Sequence, residues 1–486
     1  MNHKILARYL GIVMQMEALL VLPSLLVACV YRETQMIQAF LLSAGIMAAA
    51  GLFCRYVWGK NAGRKVRIRE SYVLIALGWL VIALMGALPF WFSRQIPSAI
   101  DCVFESISGF TTTAATVMTD VATIPRSLLF WRSFCLWIGG MGVLILLTAT
   151  EAVSWGGGSG VTLNAENPGP VPGKLVPKLK DNARILYGIY AGLTVLELIF
   201  LLIGRMPFFD AVMTAMATAG TGGFTVNATS ISAYNSPYIE AVVATFMLLC
   251  GINFNMHFFL LIRNFSGIRK NEELKVYGIM LAVAGALVTG NLLGEGVYPS
   301  LSQALRHGVF QVISISTTTG FQTANFGSWP NFSRMILFVL MFVGACAGSS
   351  GGGLKVARLI LLFKDAKRSV LKAVRPRSVS IVKLDGKAVS EELRGATSIY
   401  MVLYFLIYCG SFLVVSLDNL DFEGTASVVA ACLNNVGAGF GIMGQAGGYS
   451  LLSPLSKGML SLDMLMGRLE IYPLLMLFSR RTWQKI

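Results

Sequence analysis

The sequence predicts an all-α integral membrane protein in which two N-terminal helices precede four parallel helix–hairpin–helix repeats around one pseudo-fourfold axis. Three observations support this prediction. The 486-residue chain is 55% hydrophobic and only 13% charged, a balance typical of polytopic membrane proteins. Its apolar residues fall into stretches of ~20 residues, the length that crosses a hydrocarbon core. Four of the intervals between these stretches contain a short amphipathic segment that ends in a threonine- or glycine-containing tip.

The apolar stretches are predicted to be transmembrane helices, because a segment within lipid must satisfy its own backbone hydrogen bonds. The first stretch is longer than the apolar core of a signal peptide, and no small-residue cleavage site follows it, so we interpret it as a span. We place the spans at residues 8–30, 35–57, 71–92, 127–149, 184–204, 237–261, 275–294, 333–362, 396–417 and 456–478.

Basic residues are distributed unevenly between the two sides of the predicted spans. Most of the 39 Lys and Arg residues lie at the two termini and in alternate loops. By the positive-inside rule, the termini and the two long linkers are cytoplasmic. The net charge of +15 therefore reflects membrane topology, and we predict membrane lipid and no nucleic acid as a partner. The sequence has no nucleophile elbow, HExxH motif or P-loop, and its one GxGxxG match, at Gly439, Gly441 and Gly444, follows no predicted strand. We predict that the protein is not an enzyme.

The spacing of the four tips divides the chain into five regions. We predict a two-helix N-terminal domain at residues 1–68, repeat 1 at 69–152, repeat 2 with its linker at 153–262, repeat 3 at 263–362, and repeat 4 with its linker at 363–486. Because basic loops flank every repeat, each repeat starts and ends on the same side, and the repeats are parallel. Parallel repeats around an axis form a pore, whereas inverted repeats are common in alternating-access transporters.

Each tip contains a triplet that suits an ion-coordinating backbone. An ion that crosses a bilayer exchanges its water shell for protein oxygens, which an extended chain supplies from its carbonyls. Glycine permits the backbone angles that this requires, and the short helices before the tips point their partially negative ends at the axis. One such triplet alone would indicate a turn, but four predict a cation pore. The triplets are Thr112, Thr113, Ala114; Thr221, Gly222, Gly223; Thr318, Thr319, Gly320; and Asn435, Val436, Gly437.

The closing span of repeat 3 contains a second unusual segment, GACAGSSGGG at residues 344–353. This segment is too rich in glycine for a helix that faces lipid. One interpretation is a kink for close helix packing. We favour a flexible flap below the tips that gates the pore, because a kink needs fewer glycines. The predicted gate residues of the flap are Gly344, Gly348, Ser349, Ser350, Gly351, Gly352 and Gly353.

Arg468 is predicted to act with the flap. It lies within the last predicted span, too far from either end for its side chain to reach water easily. An ionisable group inside a membrane indicates a functional site. We predict that Arg468 faces the pore, bonds to flap carbonyls or serines and repels cations. The alternative is a structural salt bridge with Asp463 or Glu470.

The four tips, the flap and the segment GRLEIYP together resemble the Trk/Ktr/HKT superfamily of potassium transporters, and the two extra N-terminal helices are similar to those of its Trk-type membrane subunits. The resemblance implies potassium uptake across the bacterial inner membrane by a homodimer, with K⁺ bound at the triplets as the transported ion and no cofactor bound by this chain. It also implies that the flap and Arg468 form the gate. A cytosolic ring of TrkA-like subunits, which respond to ATP, ADP and NAD(H), would control that gate.

One triplet departs from the pattern of the superfamily. Ala114 occupies a position where the superfamily has glycine, and plant relatives with serine there prefer sodium. Alanine enters a left-handed backbone at a cost of ~1–2 kcal/mol, and its methyl group crowds the ring. Two alternatives therefore stay open: a sodium-permeable or cation-coupled symporter on the same scaffold, and a membrane sensor that conducts no ions.

Overall fold

The described residues are mostly helical, as expected for an all-α membrane protein. Apart from the helices, its described part contains one two-stranded antiparallel hairpin, Lys383–Leu384 with Lys387–Ala388. Most of the predicted linker at 153–183 and the end of repeat 1 after residue 142 lie outside the described residues. The computed structural model describes residues 1–60, 68–142, 179–377, 381–441 and 448–484.

The N-terminal region forms two antiparallel spans that touch backbone to backbone. A Cβ atom built on Gly11 would lie 2.6 Å from the carbonyl oxygen of Gly51, and one on Gly51 would lie 2.8 Å from that of Gly11. Glycine is therefore required at this crossing, because any side chain would push the two helices apart. The helices are His3–Leu20, Leu22–Val30, Thr34–Phe53 and the π-helical turn Cys54–Trp58.

Every repeat begins with a long opening helix and continues with a short pore helix. In the part of the chain that the structure describes, six helical segments are long and apolar enough to cross a membrane: the two N-terminal spans and the four opening helices. The opening helices are Ile68–Gly86 (continued by Leu88–Ser93), Leu179–Ile203, Glu272–Gly294 and Glu391–Val415. Pore helices 1 to 4 are Ala99–Phe110, Phe208–Ala219, Leu301–Ser316 and Phe422–Leu433.

The closing segments of the repeats are short or broken, which the sequence predicted for repeat 3 alone. The straight helix expected at 237–261 is wrong, because its two halves meet at an angle of 98°. The helix expected at 456–478 is also interrupted, at Glu470 and Ile471, which both have positive φ. The closing helices are Arg126–Gly140; Pro237–Gly251 and Phe254–Leu261; Asn331–Phe342 and Val356–Val374; and Pro454–Leu469 and Tyr472–Phe478.

Short elements connect these helices. Two further α-helical turns lie after the closing helices of repeats 2 and 4, at Phe265–Lys270 and Arg480–Trp483. The remaining turns are 3₁₀ and follow the tips or the opening helix of repeat 4. They are Val121–Thr123, Ser230–Tyr234, Phe326–Ser328, Ser416–Asp418 and Gly448–Leu451.

The four pore helices form a closed ring of contacts. Each packs against the opening and closing helices of its own repeat and against the closing helix of the preceding repeat. The ring closes where Pro454–Leu469 packs against pore helix 1, and there Lys457 pairs with Asp101 at 2.7 Å between nitrogen and oxygen. Four parallel repeats therefore surround one pseudo-fourfold pore axis, as predicted.

Candidate ion pore and gate

The four tip triplets share one backbone conformation. In each triplet the first and third residues have positive φ, and the middle residue does not. The φ angles are 59° at Thr112 and 60° at Ala114, and 61° at Thr318 and 79° at Gly320. Such an alternation turns successive peptide groups to the same side, so the carbonyls of a triplet form one polar edge. The third residue is glycine in three of the four triplets, and glycine adopts positive φ without strain.

The amide groups of the triplets are bound by the pore helices behind them. Thr319 and Gly320 both donate to the carbonyl oxygen of Ser314, at 3.0 and 3.2 Å. In repeat 1, Thr113 and Ala114 make the same two hydrogen bonds to the corresponding serine. The N–H groups of these triplets therefore point back toward the pore helices, and on the carbonyl side Gly437 accepts a hydrogen bond of 3.0 Å from the hydroxyl of Tyr449.

Neighbouring triplets approach one another so closely that a side chain would not fit between them. A Cβ atom built on the third residue of three triplets would overlap the carbonyl oxygen of the middle residue in the next repeat. Glycine at these positions is therefore required by packing as well as by φ. The pairs are Gly223 with Thr319 at 2.0 Å, Gly320 with Val436 at 2.4 Å, and Gly437 with Thr113 at 2.0 Å.

A buried ion pair supports the first hairpin from behind. Glu105, in pore helix 1, accepts a hydrogen bond of 2.6 Å from Arg132 and others from Thr116 and the amide of Val117. Arg132 also lies over the ring of Phe224, with 3.6 Å between its guanidinium carbon and the ring centroid. Because Phe224 directly follows the second triplet, this network fixes the first two tips relative to each other.

The flap lies directly below the triplets of repeats 3 and 4. Its two ends meet at an isolated β-bridge between Val343 and Leu354. The amide of Gly352 donates to Oγ1 of Thr318 at 2.9 Å. A Cβ atom on Gly352 would lie 2.6 Å from the carbonyl oxygen of Asn434, so the flap reaches the triplets only because this residue is glycine.

Hydrogen bonds to repeat 2 and contacts within the flap stabilise the other side of the flap. The carbonyl of Gly348 accepts from the amide of Phe254 at 3.0 Å, and the hydroxyl of Ser350 donates to the carbonyl of Cys250 at 3.3 Å. Ser349 instead donates to a carbonyl of the flap itself at 2.7 Å. At the base of the flap, added Cβ atoms on Gly344, Gly351 and Gly353 would lie 2.2, 2.8 and 3.1 Å from neighbouring atoms of the flap.

Arg468 binds a backbone carbonyl of the flap and two carbonyls of repeat 1. Its Nη1 atom donates to the carbonyl of Ser350 at 2.8 Å, a contact of the kind expected from the sequence. Its Nη2 atom donates to the carbonyls of Gly139 and Gly140, which end the closing helix of repeat 1 and were not predicted as partners. Arg468 therefore joins the flap of repeat 3 to repeats 1 and 4.

The acidic residues considered as salt-bridge partners of Arg468 have other partners. Glu470 forms a two-point ion pair with Arg358, with 3.0 Å between Nη1 and Oε1. Asp463 accepts a hydrogen bond of 2.7 Å from the hydroxyl of Ser411. The structure thus favours contact of Arg468 with the flap over the structural salt bridge.

Sequence analysis missed Lys355, which ends the flap. The Lys355 side chain is 2% exposed, and its Nζ atom donates to the carbonyls of Gly351 and Gly352. The available signal was its position, a lysine two residues after a glycine tract in a predicted span. Together, Lys355 and Arg468 bind three successive flap carbonyls, those of residues 350 to 352.

Two cavities lie on opposite sides of the triplets and the flap. The outer cavity is lined by the third residue of every triplet, Ala114, Gly223, Gly320 and Gly437. The inner cavity is lined by Lys355, Arg468, Glu470 and four flap glycines, Gly348, Gly351, Gly352 and Gly353. The two cavities share no lining residue.

These features define a polytopic membrane protein in which four pore hairpins meet on one axis above a glycine flap. The profile of the TrkH family, described as cation transport proteins, matches residues 46–485. The chain belongs to this family. The match bears out the resemblance inferred from the triplets, the flap and the GRLEIYP segment.

Known relatives are similar to this chain along its whole length. The Trk system potassium uptake protein TrkH of Salmonella typhimurium is 35% identical over 493 aligned positions and covers 100% of both chains. The TrkG protein of Escherichia coli K12 is 31% identical over 485 positions. The crystal structure of the potassium transporter TrkH from Vibrio parahaemolyticus matches with a TM-score of 0.88 at 30% identity, covering 100% of each chain. The chain is therefore a Trk-type, multi-pass membrane subunit.

Proposed function

We propose that this chain takes up potassium across the bacterial inner membrane through a selectivity filter made of the four tip triplets. The observation that carries the proposal is the shared backbone of the triplets, with alternating φ in all four and amides bound away from the axis. Carbonyls arranged in this way replace the water shell of a monovalent cation. The names of the relatives, potassium uptake proteins and a potassium transporter, support potassium as the ion.

The flap and Arg468 are proposed as the gate of this pore. The flap lies between the triplets and the inner cavity, and the amide of Gly352 contacts Thr318 of the filter. The guanidinium of Arg468 places a positive charge on the ion path below the filter, which opposes the passage of a cation. Opening requires that the flap leave Thr318 and that Arg468 release the carbonyl of Ser350.

A cytosolic ring of TrkA-like nucleotide-binding subunits is proposed to control this gate, with the membrane subunit acting as a homodimer. The natural docking surface is the basic linker at 363–395, because the positive-inside rule places it and both termini in the cytoplasm. The helix Val356–Val374 runs from the flap directly into this linker. A partner that pulls on the linker would therefore act on the end of the flap.

Ala114 supports a second candidate function, a sodium-permeable or cation-coupled transporter on the same scaffold. It adopts a φ of 60°, where its methyl group is strained, and it shares the outer cavity with three glycines. Current that depends on voltage and needs no second ion would distinguish a channel from a coupled symporter.

The test is flux of ⁸⁶Rb⁺ and ²²Na⁺ into liposomes that contain the purified protein, with and without the TrkA-like partner. We expect Rb⁺ uptake that exceeds Na⁺ uptake and changes when the partner and its nucleotide are added. Equal uptake of both ions would favour the sodium-permeable alternative. Absence of any flux from correctly inserted protein, together with failure to support growth of a potassium-uptake-deficient cell, would favour a non-conducting sensor.

A further inference from the structure

The first residues of the four triplets lie deepest in the proposed filter, next to the ends of the pore helices, and their side chains differ in hydrogen bonding. The hydroxyl of Thr318 accepts from the flap amide of Gly352 at 2.9 Å. The hydroxyl of Thr221 donates to the carbonyl of Gly220 at 2.7 Å. Oγ1 of Thr112 has no hydrogen-bond partner among the described residues. The flap therefore engages the side-chain hydroxyl of one repeat at this level.

Two cationic side chains next to the flap determine how its peptide dipoles are oriented. Lys355 and Arg468 donate hydrogen bonds to the carbonyls of Ser350, Gly351 and Gly352. With its carbonyls held in this way, the flap presents an N–H group to the filter. The positive end of a peptide dipole thus faces the level at which a cation would bind Thr318.

We propose that the closed flap and a potassium ion compete for the hydroxyl oxygen of Thr318, so that K⁺ at the deepest filter level promotes release of the flap. The inference rests on the proposed function, since it assigns the Thr318 hydroxyl as an ion ligand. The N–H group of Gly352 and the cation both bind lone pairs of the Thr318 hydroxyl oxygen. The positive end of the N–H dipole also repels the cation. By linkage, K⁺ weakens the bond to Gly352 by the same factor as the flap weakens K⁺ binding.

Burial and a second flap residue restrict access to the hydroxyl oxygen of Thr318. Thr318 is fully buried, so bulk water does not compete for its hydroxyl while the flap is closed. A Cβ atom on Gly351 would lie 3.3 Å from the same Oγ1 atom, so the flap backbone closes over the hydroxyl along two successive residues. An ion that binds Oγ1 from the axis therefore has to displace this part of the flap.

The test is hydrogen–deuterium exchange of the full-length protein in lipid nanodiscs, followed by mass spectrometry of the peptide that contains Gly352. Exchange is compared in K⁺ and in N-methylglucamine at equal ionic strength, with pore helix 4 as the internal reference. We expect K⁺ to accelerate exchange of the flap peptide by about fivefold, the factor that corresponds to one hydrogen bond of ~1 kcal/mol. Equal or slower exchange in K⁺ would overturn the proposal.

Two matched variants separate competition from a general loosening of the filter. Thr318→Val keeps the shape of the side chain and removes the hydroxyl, so its flap should exchange about fivefold faster than that of the original protein without K⁺ and should not respond to K⁺. Thr245→Val makes the same change outside the filter, where the hydroxyl donates to the carbonyl of Ala241 at 2.8 Å, and should retain the response. A response that persists in Thr318→Val would overturn the proposal.

Rubidium flux distinguishes failure of this inference from failure of the proposed function. If the liposomes take up Rb⁺ while exchange of the flap is independent of K⁺, the competition is wrong and the transport function stands. If no variant or condition gives Rb⁺ uptake, both are wrong. Thr318→Ser provides a rescue control, because it restores the hydroxyl and should restore the response to K⁺.

Discussion

Nη1 of Arg468 lies 2.8 Å from the carbonyl oxygen of Ser350, so a side chain of the last repeat holds the flap of the third. Replacement of Arg468 by Gln removes the charge and weakens this contact. We expect resting Rb⁺ flux to rise roughly tenfold, because a unit charge on the ion path costs a cation ~1–2 kcal/mol at an effective dielectric constant of about 20. The measurement is ⁸⁶Rb⁺ uptake per inserted protein without the partner.

The control for this prediction is Arg334→Gln, which also removes an arginine from a closing helix. Arg334 pairs with Glu423 at 2.9 Å and has no role in the proposed gate. Its loss should leave resting flux unchanged. An unaltered flux in Arg468→Gln would remove Arg468 from the gate.

Ala114→Gly tests whether the one departure from glycine affects selectivity. Removing the methyl group relieves ~1–2 kcal/mol of backbone strain at this position and makes the third residues of all four triplets identical. We expect the ratio of K⁺ to Na⁺ permeation to rise about fivefold, measured from reversal potentials or paired ⁸⁶Rb⁺ and ²²Na⁺ fluxes. An identical ratio before and after the change would show that the methyl group of Ala114 does not affect selectivity.

Gly437→Ala tests the close approach of neighbouring triplets. Gly437 has a φ of +73°, and an added Cβ atom would lie 2.0 Å from the carbonyl oxygen of Thr113. Either the ring or the backbone must shift, at ~1–3 kcal/mol, and we expect Rb⁺ flux to fall by about tenfold or more. Gly458→Ala is the matched control in the same repeat, because nothing lies within 4 Å of its added Cβ atom. Equal flux in the two variants would argue against a tightly packed ring.

Glu105→Gln tests the ion pair behind the first hairpin. The change leaves the guanidinium of Arg132, 3% exposed, without its counter-charge, and loss of one partner of a buried pair costs ~3–5 kcal/mol. We expect a marked drop in the melting temperature of the detergent-solubilised protein. Adding Arg132→Met should recover part of the loss, since the unpaired charge is then gone. A double variant less stable than the single one would contradict this account.

The hairpins were predictable from sequence because their determinants are local. A pore helix and its triplet, which ends in glycine in three repeats and in alanine in the first, lie within about 20 residues of each other, and this order recurs four times. The flap was predictable for the same reason, since a glycine tract is incompatible with a helix in lipid. The sequence did not indicate the order of contacts around the ring, nor that Arg468 also binds the carbonyls of Gly139 and Gly140. Both features are contacts between distant repeats.

The break in the last closing span shows why some local structure escaped prediction. Ile471 has φ and ψ of 67° and −55°, and Tyr472 donates to the carbonyl of Glu470 at 2.7 Å, which is a rare and strained γ-turn. No residue preference predicts such a turn at a β-branched residue. It is stabilised from a distance, because Arg358, just after the flap, pairs with Glu470.

The sequence of the second repeat contains a weaker indication of its bend. Asn253 accepts a hydrogen bond of 2.9 Å from the amide of Asn255 and thereby caps the helix Phe254–Leu261. A glycine followed two residues later by asparagine is a common sequence for a helix end and a new start. Apolar flanks on both sides concealed it, because hydropathy alone does not distinguish a bent segment from a straight one.

The contact between pore helix 1 and Pro454–Leu469 has a consequence for biosynthesis. The first hairpin leaves the ribosome early, yet the helix that completes its surroundings is among the last segments to be translated. Until then, the nascent protein holds a polar tip at membrane depth with one side unfilled. Insertion of the individual segments must therefore precede assembly of the pore. In a chain that terminates before this helix, the ring of repeats would stay open beside pore helix 1.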